Sequence, residues 1–259
     1  MRAPRATSTS ASFADLHRTD APLLLPNAWD HASAAAMAGQ GFRAIGTTSL
    51  AVAAAVGRPD GASATRDETL RLALTLGSQP FLLSVDAETG FSDDPDEVAE
   101  LARQLAAVGA VGINLEDGFG RVARHAAKIA AVKSAVPGLF VNARTDTYWL
   151  GEHGATETLA RLDAYQQAGA DGVFVPGLTD AKEISVLVAR IDVPLNILYS
   201  PAGLTVAHLA ELGVSRISLG SLLYRRALGA VLEAVDAVRA GRTPGGRTPT
   251  YQEVASLAP

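Results

Sequence analysis

The sequence predicts a single (β/α)₈ barrel, because short apolar runs alternate with longer helical segments along nearly all of its 259 residues. Each run is mostly β-branched or apolar, as expected for parallel strands covered on both faces. Eight strands alternating with helices indicate a closed barrel, and about 250 residues is a common length for this fold. The predicted strands are Leu23–Pro26, Ala44–Thr48, Phe81–Asp86, Gly112–Glu116, Phe140–Arg144, Gly172–Pro176, Leu195–Leu198 and Arg216–Leu219.

The connecting segments support the same fold. Ala-rich amphipathic stretches lie between the runs, at Ser33–Ala38, Asp67–Leu76, Asp96–Val108 and Thr156–Ala168. Four helix-to-strand connections, at 39–45, 108–113, 168–173 and 212–217, contain a glycine that fits the left-handed position following a helix. Such turns lie at the bottom of a barrel, so we interpret Asp171 and Arg216 as structural residues.

The composition excludes several classes of protein. Hydrophobic residues make up 48% of the chain and charged residues 19%, which is typical of a soluble globular protein. The net charge of −5 argues against a nucleic-acid partner, because phosphates are bound by clustered lysine and arginine. The absence of cysteine excludes disulfides, cysteine-based zinc sites and a thiol nucleophile. No apolar run approaches the roughly 20 residues of a membrane helix, so we expect a cytoplasmic protein without a membrane partner.

We divide the chain into a barrel over residues 1–240 and a Pro/Gly-rich tail over residues 241–259. Met1–Ser12 is rich in Arg, Ser, Thr and Ala, and we interpret it as a short flexible tail. It contains no apolar segment of the kind that a secretory signal requires.

Charged side chains follow three consecutive predicted strands. The third strand ends with Asp86 and Glu88, the fourth with Glu116 and Asp117, and the fifth with Arg144. In a barrel these positions form the C-terminal mouth, where active sites lie. Several carboxylates and one guanidinium are therefore predicted to meet at one place.

This group of side chains predicts a divalent-metal site. Asp86 and Glu88 point the same way along an extended segment, and carboxylates held together repel unless a cation lies between them. Oxygen ligands without His or Cys favour Mg²⁺, with Mn²⁺ possible. Arg144 could then bind a substrate carboxylate through two hydrogen bonds, whereas Asp60 by itself is typical of a Pro-Asp-Gly turn. Helix capping is the alternative role for acidic residues, and we assign it to Asp93, Asp94, Asp96 and Glu97.

Taken in order, these segments resemble motifs of the isocitrate lyase/phosphoenolpyruvate mutase superfamily, over about Leu24 to Ala227. Each segment is weakly specific alone, but the ordered set is specific. The matching segments are Trp29-Asp30-x-x-Ser33, Gly46-Thr-Thr48-Ser49-Leu50, Gly57-Arg-Pro-Asp60-Gly61, Asp86-Ala-Glu88-Thr-Gly-Phe91, Glu116-Asp117 and Ala143-Arg144-Thr-Asp146.

The resemblance implies a role for each candidate residue. It implies that Asp86 binds Mg²⁺ directly, while Asp60, Glu88 and Glu116 hold the water ligands of the ion. It also implies that the Thr48 and Ser49 region and Arg144 bind the carboxylate end of the substrate, and we take Trp29 as a further substrate-binding candidate. We take Arg144, Glu116 and Asp60 as the candidate catalytic residues. Asn196, a polar residue in the seventh apolar run, is a further candidate for substrate binding or, alternatively, for pairing with a neighbouring strand.

Two departures from the family pattern concern the general acid. The lyases of the family carry a catalytic Cys on a mobile loop after the fourth strand. The corresponding loop here, residues 117–126, is short and contains no Cys. Arg121, Arg124 and His125 are the candidate acids in this loop, and the alternative places Arg124 and His125 on the outer face of the next helix. His153, on a later mouth-side loop, is a weaker candidate for substrate contact. In addition, Pro176 replaces the His of the mutases.

Together these features predict a Mg²⁺-dependent lyase that cleaves a C–C bond of a small 2-oxo acid or related di- or tricarboxylate, by decarboxylation, retro-aldol cleavage or hydrolysis, through a metal-stabilised enolate. A reduced lid suits such cleavage better than phosphoryl migration. The alternatives are a phosphonate mutase or hydrolase, and a non-catalytic binder of oxo acids. The resemblance also implies a homo-oligomer, a dimer or tetramer, that exchanges its last barrel helix, Leu222–Ala240.

Overall fold

The barrel closes through its first strand, which Pro26 divides into two halves. In the computed structural model, which describes residues 11–151 and 154–258, β1 (Leu23–Leu25) pairs with the last strand of the barrel and β2 (Asn27–Ala28) pairs with β3 (Ala44–Thr47). Proline has no N–H to donate, so the ladder is interrupted there. The Pro26 carbonyl still accepts a hydrogen bond from the Gly46 N–H at 2.8 Å.

All strand pairs of the described chain are parallel, and the sheet order β1-β9-β8-β7-β6-β5-β4-β3-β2 returns to the first strand. The predicted eight-stranded barrel is therefore confirmed, with its third predicted strand being β4. The remaining strands are β4 (Leu82–Asp86), β5 (Ala110–Glu116), β6 (Phe140–Arg144), β7 (Gly172–Val175), β8 (Leu195–Leu198) and β9 (Arg216–Ser218).

Helices surround the sheet, and four predicted glycines end them. Gly41, Gly109, Gly169 and Gly213 have φ between 85° and 107°, a conformation that L side chains rarely adopt. The helices are α1 (His31–Gly39), α2 (Ser49–Ala55), α3 (Arg66–Leu76), α4 (Pro95–Ala107), α5 (Val122–Ala135), α6 (Ala155–Gln167), α7 (Ala181–Arg190), α8 (Val206–Glu211), α9 (Leu222–Arg239) and α10 (Tyr251–Ala255).

Helix α4 shows why the acidic run before it is structural. Asp94 is the N-cap and accepts a hydrogen bond from the Asp96 N–H, Pro95 occupies the first turn, and Asp96 and Glu97 complement the helix dipole. The helix then buries Val98, Leu101, Ala102 and Leu105 against the strands. Asp93 instead forms an ion pair with Arg124.

The N-terminal end of the barrel is closed by aromatic packing. Phe13 and Leu16 are buried with Phe140, and His17 stacks on Phe140 with ring centroids 4.4 Å apart. Most of the predicted N-terminal tail, residues 1–10, lies outside the described residues. The predicted tail after residue 240 contains α10, which begins with a capping box formed by Thr250 and Glu253. None of the helices in the described residues is long and apolar enough to cross a membrane.

Both residues that the sequence interpreted as structural, Asp171 and Arg216, form hydrogen bonds that hold the barrel together. Asp171 accepts hydrogen bonds from the Lys133 ammonium and the Val141 N–H, so it is structural as predicted. Arg216 lies in β9, and its side chain is fully buried inside the barrel, where it contacts Asn114 and Ser218. Arg216 is the first residue of the predicted strand, but the sequence did not show that its side chain points into the barrel.

Candidate active site

A small cavity of about 100 Å³ opens at the C-terminal ends of the strands. Its polar wall is formed by Asp60, Asp86 and Arg144. Apolar side chains also line the cavity, namely those of Trp149, Phe174, Pro176 and Leu198. Three of the predicted site residues from different strands and loops therefore meet at one cavity, at the face of the barrel where active sites lie.

Asp86 ends β4 and is fixed from two sides. Its Oδ2 accepts a hydrogen bond from the Ser49 N–H at 3.1 Å, and its own N–H donates to the Thr47 hydroxyl at 2.8 Å. Thr48 is the N-cap of α2 and Ser49 is its first residue, so the predicted substrate loop is the start of this helix. Both residues line the cavity beside Asp86.

Asp60 reaches the same cavity from the loop between α2 and α3. Partial burial raises the pKa of its carboxyl group above the ordinary value. The negative charge of Asp86 adds to the rise, while a hydrogen bond from the Ser49 side chain and the charge of Arg144 oppose it. The residue that looked like an ordinary turn aspartate is therefore electrostatically part of the site.

Glu88 holds this loop against the barrel. Its two carboxylate oxygens accept hydrogen bonds from the Ser63 N–H at 3.1 Å and from the Thr65 hydroxyl at 2.7 Å. Its φ of 47° directs the chain away from the strand. Burial raises its pKa, with further contributions from Asp86 and Asp60. Glu88 is buried and does not line the cavity.

Arg144 bridges two carboxylates at the mouth. Its Nη1 lies 2.8 Å from Glu116 Oε2, and its Nε lies 2.7 Å from Asp146 Oδ1. The guanidinium carbon also lies 5.9 Å from the ring centres of Trp149 and Phe174. Neither aromatic residue was a sequence candidate, because an aromatic side chain near a strand end is usually a packing residue.

The pKa values of the two neighbouring carboxylates at the end of β5 are shifted in opposite directions. Burial raises the pKa of Glu116 to about 8, and the nearby Asp86 and Asp146 add to this rise against the opposing charge of Arg144. Burial also acts to raise the pKa of Asp117, but its hydrogen bonds lower it below the ordinary value. Asp117 accepts bonds from Thr145, Arg161, Tyr165, Phe119 and Asp146. It anchors the loop after β5, a role that the sequence alone did not reveal.

Two predicted substrate-binding residues do not line the cavity. Trp29 packs edge-to-face against Tyr224 at the start of α9, with ring centroids 5.4 Å apart. Its neighbour Asp30 is the N-cap of α1 and forms a capping box with Ser33. Asn196 is 1% exposed and donates a hydrogen bond to the Ser218 hydroxyl of the neighbouring strand at 3.0 Å. Ser218 lines the cavity, whereas Asn196 does not.

The loop after β5 contains no acid that reaches the cavity. Arg121 is the N-cap of α5, and Arg124 lies outside in its ion pair with Asp93. His125 was expected either as an acid or on the outer face, and both are wrong. It is buried on the inner face of α5 against Tyr165, because the helix turns that position inward. His153 lies outside the described residues.

The donor set fits a magnesium ion that keeps much of its water. Within residues 11–151 and 154–258, no three His, Cys, Asp or Glu side chains converge into an all-protein metal site. Mg²⁺ is usually bound by one or two carboxylates with water completing its octahedral shell. Asp86 has an oxygen available at the cavity, and Asp60 faces the same space. Glu88 and Glu116 do not line the cavity, but each interacts electrostatically with Asp86, so they suit contact with the ion through water.

Comparison with known proteins agrees with this architecture. The family model for phosphoenolpyruvate phosphomutase matches residues 13–239. An uncharacterized protein of Mycobacterium tuberculosis is 47% identical over 89% of this chain and 90% of its own length. The 2-methylisocitrate lyase of Bacillus subtilis is 30% identical over 73% of this chain and 66% of its own, and an oxaloacetate decarboxylase of Bradyrhizobium is 29% identical over 76% and 73%.

Solved structures give the same result. A putative lyase/mutase from Burkholderia cenocepacia superposes with a TM-score of 0.87 at 35% identity, covering 96% of this chain and 95% of that one. A phosphonopyruvate hydrolase in complex with oxalate and Mg²⁺ superposes with a TM-score of 0.83 at 25% identity, covering 94% and 92%.

Proposed function

Because this chain belongs to the isocitrate lyase/phosphoenolpyruvate mutase superfamily of lyases and mutases, we propose that it is a Mg²⁺-dependent enzyme that cleaves a C–C bond of a small 2-oxo acid. The observation that carries the proposal is the meeting of Asp60, Asp86 and Arg144 around one small cavity at the barrel mouth. The phosphonopyruvate hydrolase, which binds Mg²⁺ and oxalate on the same fold, supports a metal and a small oxo-acid-like ligand here.

The residues of the chain would divide the work in the following way. Asp86 would hold the cation directly, with Asp60, Glu88 and Glu116 acting through its water ligands. When bound, the cation supplies a Lewis acid that takes up negative charge developing on the carbonyl oxygen of a 2-oxo acid. Arg144, held by Glu116 and Asp146, presents a fixed positive charge to a substrate carboxylate.

The side chains that line the cavity favour decarboxylation or retro-aldol cleavage over the other reactions of the superfamily. Among the described residues lining the cavity, no His, Lys, Tyr or Cys can act as a dedicated acid. Loss of carbon dioxide leaves an electron pair that the carbonyl group takes up, and the carbon then accepts a proton, which water can supply at an open mouth. The relative named oxaloacetate decarboxylase supports this choice of reaction.

The test is a turnover assay with oxaloacetate and Mg²⁺, corrected for the metal-catalysed background. We expect pyruvate formation that EDTA abolishes, and a loss of about 10²–10³-fold in Asp86→Ala, because one preorganised electrostatic contact commonly contributes that much. Asp93→Ala is the matched control, since it removes an exposed carboxylate outside the cavity.

Other outcomes would select the alternatives. Rearrangement or hydrolysis of phosphonopyruvate, followed by phosphorus NMR, would replace C–C cleavage with phosphonate chemistry. Mg²⁺-dependent binding of oxalate without turnover of either compound would indicate the non-catalytic binder. If oxalate does not bind in the presence of Mg²⁺, the proposal is wrong.

We also propose that the protein is a homo-oligomer, a dimer or tetramer, formed through α9. Within the described chain this helix buries only Ala237, and it exposes an apolar stripe at helical spacing: Leu228, Val231, Leu232, Val235 and Val238. An apolar face of this kind on a soluble protein usually marks an interface, and a second copy exchanging the same helix would cover it. Light scattering should show the oligomer, and Leu232→Asp should dissociate it while Glu233→Gln does not. A monomeric wild-type protein would contradict this.

A further inference from the structure

The interior of the barrel directly below the cavity is polar, although barrel interiors are commonly filled by branched apolar residues. Neighbouring strands place Asn114 opposite Asn142 and Asn196 opposite Arg216 in the parallel register. All four side chains are buried, and none of these residues is at the C-terminal end of its strand, where catalytic residues are expected. A buried polar layer needs internal partners, so its hydrogen bonds can be followed one by one.

Arg216 is the unusual member of this layer. It is 1% exposed, donates from Nη2 to Asn114 Oδ1 at 3.1 Å and from Nε to Ser218 Oγ at 3.1 Å, and its Nη1 has no partner. Both of these hydrogen bonds go to neutral groups, although buried charges are normally paired with an opposite charge. Burial lowers the pKa of Arg216 to about 9, against the opposing charge of Asp86, so the guanidinium remains positive at neutral pH.

The hydrogen bonds of this layer fix what it presents to the cavity. Asn114 Oδ1 accepts from Arg216, which can only donate, and from Asn142 Nδ2 at 2.8 Å. Its amide NH₂ must therefore be the group that faces the cavity. Ser218 Oγ accepts from both Arg216 and Asn196, so its remaining capacity is to donate its hydroxyl hydrogen.

Both groups line the cavity, and both can only donate there. Gly220 and Ser221, at the start of the 18-residue helix α9, line the same cavity, so the positive end of the helix dipole lies nearby. The floor of the cavity thus combines N–H and O–H donors, a buried cation behind them and a helix N-terminus. This arrangement suits an anionic oxygen group and disfavours a neutral or cationic one.

We infer that Asn114 and Ser218 form an anion subsite for a second carboxylate of the substrate, with Arg216 as the positioning residue that orients both donors. The inference rests on the proposed function for the first carboxylate, which the Asp86 and Arg144 side of the cavity takes. The subsite makes the protein selective for short dicarboxylates over the corresponding monocarboxylates.

The experiment compares malate with lactate, two stable 2-hydroxy acids that differ by one carboxylate. Calorimetric titration in Mg²⁺ should show that the wild-type protein binds malate at least about tenfold more tightly, because a charge-assisted hydrogen bond contributes about that much. Ser218→Ala and Asn114→Asp should reduce this ratio to about threefold or less while leaving lactate binding nearly unchanged. Asn114→Asp retains the oxygen that Arg216 and Asn142 contact, so it should preserve the fold.

Ser84→Ala is the matched control. Ser84 is a buried hydroxyl in the barrel interior whose Oγ has no partner, and it does not line the cavity. Its loss should leave the malate-to-lactate ratio unchanged. Arg216→Gln should lower the ratio and Arg216→Lys should recover part of it, because a purely structural role would affect both ligands equally.

Three results would overturn the inference, and they differ in what else they imply. Equal wild-type affinity for malate and lactate, or a ratio unaffected by both Ser218→Ala and Asn114→Asp, would remove the subsite and leave the proposed function intact. Failure of the wild-type protein to bind oxalate, lactate and malate in Mg²⁺ would overturn the proposed function and the subsite together.

Discussion

The two ends of the barrel interior are built from opposite kinds of residue. At the N-terminal end, Phe13, His17 and Phe140 close the barrel through ring contacts, with centroids 4.4–5.3 Å apart. At the C-terminal end, Glu116 and Arg144 form an ion pair beside the open cavity. Packing therefore holds one end together and charge holds the other.

Burial has the same effect on titratable groups at both ends, but the surroundings differ. It lowers the pKa of His17 to about 3 and raises that of Glu116 to about 8, so each group is driven toward its neutral form. Around Glu116, Arg144 opposes this effect, and further carboxylates reinforce it. Perturbed groups that gather around a cavity are functional candidates, whereas a lone buried histidine in an aromatic cluster is a packing residue.

Of the changes considered, removal of Arg144 should have the largest effect on stability and turnover. Arg144→Met leaves Glu116 and Asp146, which are 11% and 6% exposed at their side chains, without their cationic partner. Breaking a buried ion pair from one side commonly lowers the free energy of unfolding by about 3–5 kcal/mol. Urea denaturation should show this loss, and turnover should disappear.

Arg144→Lys is the control for that variant. It keeps a positive charge but cannot bridge two carboxylates in the planar geometry of a guanidinium, so it should recover part of the stability and little of the turnover. A variant Arg144→Met as stable as the wild type would show that charge does not hold the mouth together.

Loss of the ring at the opposite end should affect stability alone. Phe140→Ala removes the side chain on which both Phe13 and His17 pack, and such a cavity commonly costs about 3–5 kcal/mol. At temperatures where the variant is folded, kcat should be unchanged, because Phe140 lies at the bottom of β6 and Arg144 at its top. A kcat reduced tenfold in the folded variant would contradict the separation of the two ends.

Strand ends were the informative part of the sequence. The positions of Asp86, Glu116 and Arg144 followed from the barrel alone, since parallel strands bring their C-terminal ends to one face. The prediction that Asp60 belongs to the site needed the family resemblance, because the sequence of a Pro-Asp-Gly turn does not indicate which part of the barrel the loop contacts. The placement of Asp60 in the cavity agrees with that resemblance, while the ligand roles stay predictions.

The partners of buried polar groups could not be predicted. Arg216 was expected only as a structural residue at the bottom of the barrel, and its contact with Asn114 joins positions 102 residues apart in the chain. Asp117 looked like the second half of a site motif, yet its bond from Tyr165 comes from a helix 48 residues away. Such contacts depend on strand register and on the inward side of each helix, which a periodic pattern of apolar residues defines only within one or two positions.

The smallest predicted effect concerns acid sensitivity at the closed end. The Nδ1–H of His17 donates to the Phe13 carbonyl at 2.8 Å, and burial, with help from the charges of Arg216 and Arg18, lowers its pKa from 6.5 to about 3. Between about pH 3 and pH 6.5 the unfolded chain binds a proton at this position that the folded chain does not. Stability contributed by this site therefore falls as the pH falls through that window.

His17→Phe keeps a ring on Phe140 and removes the titration. The free energy of unfolding of this variant relative to the wild type should rise by on the order of 1–2 kcal/mol between pH 6.5 and pH 4.5. Urea denaturation at several pH values measures the difference, and Phe13→Leu serves as a control that weakens the same cluster by an amount independent of pH. Parallel pH profiles for His17→Phe and the wild type would mean that His17 has the same pKa in the folded and the unfolded chain. The contrast between a packed end and a charged end would then no longer hold.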